Sequence, residues 1–205
     1  MNIINKKLKL ILLTLISVIL LIVSQQIQNN QTKLVYEELS KKENYLLTLT
    51  DNKVLMYNIK NLPKDKNYEL TLIYEVYKNT EKVTERVITG ILSDSTSEKT
   101  GAEKTLAINI QDDKIRFVLG EGSGYSSGSW NIEEKLANYS QSYLTEDIDL
   151  KLGTEVYIYH AVSSTSNTSS LNNTILGKPI NTDELNNILK DNDENFFIKL
   201  VYKEI

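Results

Sequence analysis

The sequence predicts an all-β fold, an antiparallel β-sandwich of immunoglobulin-like or jelly-roll-like kind with one short helix, preceded by an amino-terminal membrane helix. Three observations lead there. Apolar residues recur at every second position in at least six segments. Clusters of Asn, Asp, Gly and Pro separate those segments at short intervals. A lysine-flanked apolar run opens the chain.

That run comes first. Lys6, Lys7 and Lys9 precede Leu10 to Val23, a stretch interrupted only by Thr14 and Ser17. Basic residues on the amino side hold that end in the cytoplasm, so the remainder of the chain is exported. Fourteen residues are short for a full span, but no small-x-small cleavage site lies beyond them, since Ile22 and Ser24 stand at the critical positions. Lys9 can snorkel while Leu8 lengthens the apolar stretch. The expectation is a retained signal-anchor over residues 1–24, with a cleaved signal peptide and secretion as the alternative.

Residues 25–43 read as a stalk, of which 25–33 are plainly polar. Over 34–42 neither the helical nor the strand period prevails. The β domain is expected over residues 44–205. Lys53–Ile59 reads as a strand and residues 61–67, with Pro63, as a turn. Tyr68–Lys78 is the clearest strand, with Leu70, Leu72, Tyr74 and Val76 on one face. Lys82–Leu92 comes after the Asn79–Thr80 turn. Leu106, Ile108 and Ile110 alternate, residues 111–113 turn, and Ile115, Phe117 and Leu119 alternate back, a hairpin signature. Leu144–Leu150, Glu155–Val162 and Asn195–Tyr202 complete the predicted strands. Residues 163–174 form a polar low-complexity loop. Thr182–Lys190 is the predicted helix, with acidic residues in its first turn and Lys190 at its end.

Composition removes several kinds of chemistry. There is no cysteine, which excludes disulfides, zinc–thiolate sites and cysteine nucleophiles. Histidine occurs once, at His160, so histidine-rich metal sites are excluded within one chain. Without Lys6, Lys7 and Lys9 the exported part carries 20 positive and 27 negative residues, a net of −7. Such a domain is not drawn to nucleic acid or anionic lipid by its field. The 21 lysines against two arginines, with 21 asparagines, fit an AT-rich bacterial genome.

Gly124-Tyr-Ser126-Ser-Gly128 matches the Gly-x-Ser-x-Gly nucleophile elbow, and Asp147 or Asp149 and then His160 come after it in the order a hydrolase triad uses. The elbow needs a tight strand–turn–helix in a parallel sheet. Here an antiparallel reading and a glycine-rich stretch from Gly120 to Gly128 surround it, so a loop between strands is expected instead. The nearest helix candidate is Ile132–Tyr139. His160 falls on the apolar side of its strand, where a packed, hydrogen-bonded imidazole is the ordinary outcome. Asp191 to Asn195 imitates the start of a calcium loop but has Phe196 where such a loop needs glycine. Acidic residues in turns, such as Asp112, Asp113 and Glu146, are expected to be solvated.

Tyr125, Trp130 and Tyr139 lie in or after the glycine-serine stretch and are the candidate binding residues. Aromatic rings beside polar atoms suit sugar stacking and protein contacts. The expectation is therefore a membrane-anchored, extracytoplasmic, non-catalytic binding or interaction protein. Its partners would be the membrane, through the amino-terminal helix, and a protein or cell-wall glycan, with no metal or cofactor. A secreted serine hydrolase using Ser126 and His160 and a cell-surface assembly subunit are the alternatives.

Overall fold

Alternation places the side chains of each strand on two faces, and pairing decides which of those faces is buried. The computed structural model describes residues 15–18, 31–49, 53–63, 65–93, 103–121, 124–163 and 175–205. Residues 15–18 are helical and belong to a unit ending at Gln31, while Thr32–Ile205 form a second compact unit. Among the described residues no helix is long and apolar enough to cross a membrane, and most of the expected membrane helix lies outside them.

Eleven strands are described: β1 Lys33–Tyr36, β2 Lys53–Lys60, β3 Tyr68–Lys78, β4 Glu81–Ser93, β5 Lys104–Ile110, β6 Lys114–Glu121, β7 Gly124–Asn131, β8 Ser140–Tyr143, β9 Ile148–Asp149, β10 Thr154–Ser163 and β11 Glu194–Glu204. They form two sheets, A in the order β7-β6-β5-β2-β1-β9 and B in the order β4-β3-β11-β10-β8. Every neighbouring pair is antiparallel.

The inner faces share one core. Leu34, Tyr57, Leu106, Ile108 and Leu119 of sheet A meet Leu70, Leu72, Ile198 and Leu200 of sheet B, all at 1% exposure or less. Each such side chain contributes about 1.5–3 kcal/mol by leaving water. Polar atoms also tie the layers. Tyr57 donates to the Leu144 carbonyl at 2.9 Å, and Thr89 Oγ1 to Ser126 Oγ at 2.8 Å.

Sheet B is buried on its outer face too. Helix α2 (Thr182–Lys190) buries Leu185, Ile188 and Leu189 in the same core cluster. Asn181 caps the helix, its side chain accepting from the backbone N–H of Asp183 and Glu184. The preceding segment is pinned to the β10 edge through Gly177 N–H to the Tyr157 carbonyl and Ile180 N–H to that of Glu155. Near-continuous apolar runs in β10 and β11 match this two-sided burial.

Four expectations are corrected. The β domain begins at Thr32 rather than at residue 44, because β1 pairs between β2 and β9 inside sheet A. A second helix, α1 (Lys41–Leu49), comes next in the chain; Ser40 and Glu43 cap it reciprocally, Ser40 N–H donating to Glu43 at 2.9 Å. Leu144–Leu150 is not one strand. β8 pairs in sheet B and β9 in sheet A, and the chain crosses between layers at residues 144–147, where Leu144 N–H reaches the Ile158 carbonyl. Residues 124–131 are not a loop but the edge strand β7, and Ile132–Tyr139 holds only a 3₁₀ turn at Leu136–Asn138.

β7 needs a glycine before it. Gly120 has φ +140°, and a Cβ there would stand 2.4 Å from the Gly124 carbonyl oxygen. At the β3–β4 turn, Asn79 and Thr80 both take positive φ, the type I′ geometry that suits a two-residue hairpin.

Candidate functional site

The hydrolase constellation does not assemble. Ser126 sits on the inner face of β7, its Oγ accepting from Thr89. His160 sits on β10, fully buried on the outer face of sheet B, the side away from sheet A. Its ring stacks on Phe197 with centroids 4.3 Å apart, and Nε2 meets Asn195 Oδ1 at 3.0 Å. Nδ1 has no hydrogen-bond partner among the described residues. Burial therefore drives the imidazole down to about 4, with the Asn195 bond opposing only in part. Asp147, a candidate third member, accepts instead from the Tyr36 backbone N–H at 3.1 Å.

The three aromatic candidates also part company. Tyr125 projects from the outer face of sheet A and is 58% exposed. Trp130 lies on the opposite face of the same strand, paired with the core residue Ile115, and its Nε1 donates to the Tyr74 hydroxyl at 3.3 Å. Tyr74 in turn stacks on Phe196, which anchors the pair to the core. Tyr139 is half-buried and its hydroxyl donates to Glu194, which also holds Lys78 at 2.9 Å. Burial and this carboxylate raise the Tyr139 phenol well above its ordinary value.

Trp130 opens onto a cleft of about 530 Å³ where the edges of β4 and β7 separate. Tyr74, Thr84 and Arg86 line one side, Ser129, Trp130 and Asn131 the other, and Glu133 and Glu134 close the end. Glu133 and Glu134 also border a hollow of about 410 Å³ with Lys78, Tyr139 and Glu194. Trp130 and Tyr139 thus flank one acidic turn, whereas Tyr125 stands apart. An indole face, a phenol, an arginine fork, two carboxylates and amide and hydroxyl groups can together stack a ring and hydrogen-bond several polar substituents.

Arg86, Tyr74, Glu133 and Glu134 were not legible as site residues. Tyr74 reads as core and Arg86 as a surface position in a strand; only the meeting of β3, β4 and β7 joins them. The rarity of arginine in this chain was the single available signal.

A second polar cluster lies on the outer face of sheet B. Glu75 is 1% exposed, and its Oε1 meets Lys82 at 2.7 Å and Lys199 at 2.8 Å while Oε2 accepts from Tyr157 at 2.8 Å. Lys199 also pairs with Glu155 at 2.8 Å. Burial alone would raise the Glu75 carboxyl, but hydrogen bonds from Lys199, Lys82 and Tyr157 outweigh it and hold it at about 2. Every strong acceptor here is engaged within the fold, so the cluster is structural. At the pseudo-calcium segment, Asp191 caps the C-terminus of α2 and Asn195 is bound to His160; among the described residues no three carboxylate or imidazole groups converge as a metal site would need.

These features define a two-sheet antiparallel β protein with an aromatic cleft at one edge. Within that class the chain belongs to the YgaN domain family, whose domain matches residues 34–201. No curated protein and no solved structure matches the chain.

Proposed function

We propose that the chain is a membrane-anchored, extracytoplasmic binding module without a catalytic centre, taking a surface glycan in the Trp130 cleft. The observation that carries this reading is the Trp130–Tyr74 pair, an indole held by a core-anchored phenol and open to a cleft with Arg86, Glu133 and Glu134 at its rim. A half-exposed indole stacks on the apolar face of a pyranose, and the surrounding polar groups can bond its hydroxyls. The non-catalytic part is supported by the separate engagement of Ser126 with Thr89 and of His160 with Asn195. The anchor rests on Leu10–Val23 behind Lys6, Lys7 and Lys9. The immunoglobulin-like or jelly-roll-like reading of the sandwich belongs with this proposal, supported by two antiparallel sheets over one core.

Trp130 is the only tryptophan in the chain, so tryptophan emission, excited apart from that of the twelve tyrosines, reports on the cleft alone. Titration with soluble cell-wall glycan fragments is expected to shift that emission saturably, and Trp130→Ala to abolish binding measured by calorimetry. An unresponsive indole and no heat with any fragment would remove the glycan reading. Recovery of a soluble mature chain beginning near Gln25 would remove the anchor. Labelling of Ser126 by a fluorophosphonate, lost in His160→Ala, would overturn the non-catalytic assignment.

A further inference from the structure

We infer that β7 is a pairing edge for a second copy of this chain, which would join the two A sheets across a two-fold axis. Exposed edge strands are ordinarily blunted by charge, proline, a bulge or shortness, because their free backbone groups template pairing. The other edges here obey that rule: β4 carries Glu81, Lys82, Glu85 and Arg86, β8 has four residues and β9 two. β7 does not. Its eight residues, Gly-Tyr-Ser-Ser-Gly-Ser-Trp-Asn, hold no charge and no proline, and all but the half-exposed Ser126 are exposed.

The phase of its hydrogen bonds supports a copy of itself as the occupant. Glu121 opposite Gly124 closes the β6–β7 hairpin. In such a two-residue hairpin the closing pair exchanges both bonds, and bonded pairs then recur at every second residue. Gly124, Ser126, Gly128 and Trp130 are thereby turned towards β6, leaving Tyr125, Ser127, Ser129 and Asn131 with N–H and C=O directed outwards. A two-fold axis normal to the sheet pairs outward residues with outward residues and keeps the outer faces together. Both conditions are met when Ser127 lies opposite Ser127 of the second copy, or one step along, opposite its Ser129. Neither register sets like charges against each other, although the exported part as a whole carries a net charge of −7.

The chain contains no cysteine, so an introduced one is its only thiol. Directly opposed residues stand about 4.5–5.5 Å apart at Cα, within disulfide reach. Oxidation of the full chain in detergent is expected to cross-link Ser127→Cys alone, or Ser127→Cys mixed with Ser129→Cys, into covalent dimers. Ser127→Lys, which opposes two ammonium groups across the axis, is expected to reduce the dimer fraction in sedimentation at least tenfold with an unchanged thermal unfolding temperature. A monomeric full chain, a dimer indifferent to Ser127→Lys, or equal cross-linking from Glu85→Cys on β4 would overturn the inference.

Discussion

The outer face of sheet A presents Val54, Met56, Asn58, Ala107 and Ser127 at or near the surface, whereas that of sheet B holds Glu75, Tyr157, His160, Asn195, Phe197 and Lys199 in the interior. The strands of both sheets alternate in the same way; what differs is the cover. The outer face of sheet B is closed to water and that of sheet A is not, so a polar side chain costs little in sheet A, whereas in sheet B an unpaired atom such as His160 Nδ1 carries a desolvation cost. The ionisable groups buried on the outer face of sheet B are therefore determinants of stability.

The sharpest way to break this contrast is at Glu75. Glu75→Leu leaves Lys199, whose side chain is 8% exposed, with Glu155 as its remaining ion partner. A loss of about 3–5 kcal/mol is expected in urea denaturation, much of it recovered when Lys199→Met is added, since removing both members of a buried pair is far milder than removing one. A loss under about 1 kcal/mol would mean that water reaches the cluster.

pH dependence sharpens the same point. The folded His160 imidazole is held at about 4, against an ordinary value of 6.5 that the unfolded chain retains. The unfolded state therefore binds more protons between those limits. Stability attributable to His160 is fully present above about 6.5 and falls as pH drops to about 4, by about 3 kcal/mol in all. Glu75, depressed from 4.5 to about 2, continues the loss over that lower window. His160→Phe should flatten the upper part of the stability–pH curve and leave the lower part; an unchanged upper slope would show that the imidazole is solvated.

Smaller effects are expected on either side of the comparison. Asn181→Ala removes the N-cap of α2 and should cost about 1 kcal/mol in thermal or urea unfolding. Met56→Ser, on the uncovered face of sheet A, should stay within about 0.5 kcal/mol. A larger penalty at Met56 than at Asn181 would indicate that the outer face of sheet A is itself covered, as by another protein surface.

The chain shows where local physics suffices. Side-chain direction alternates along any extended segment, so β2, β3, β5, β6, β10 and β11 are readable from Lys53, Tyr68, Leu106, Ile115, Glu155 and Asn195 onward. α2 is readable from Leu185, Ile188 and Leu189 with acids ahead of them. The Ser40–Glu43 capping box was equally local, and reading it would have found α1. His160 as a packed imidazole also comes directly from its apolar strand neighbours.

What the amino-acid pattern determined by itself was thus the period and most boundaries of the strands, the antiparallel class and the position of one helix. Tertiary structure alone decided the rest. β7 is a strand because β6 supplies its hydrogen bonds, since serine and glycine carry little strand preference of their own. Leu144–Leu150 divides because its two ends pair with different sheets, and no local pattern encodes a partner. The cleft exists because Tyr74, Arg86, Trp130 and Glu134, distant in sequence, are delivered to one place by the edges of two sheets. Burial of Glu75 and Lys199 is likewise a property of the tertiary packing around them, because desolvation depends on everything that packs against a group and not on its neighbours along the chain.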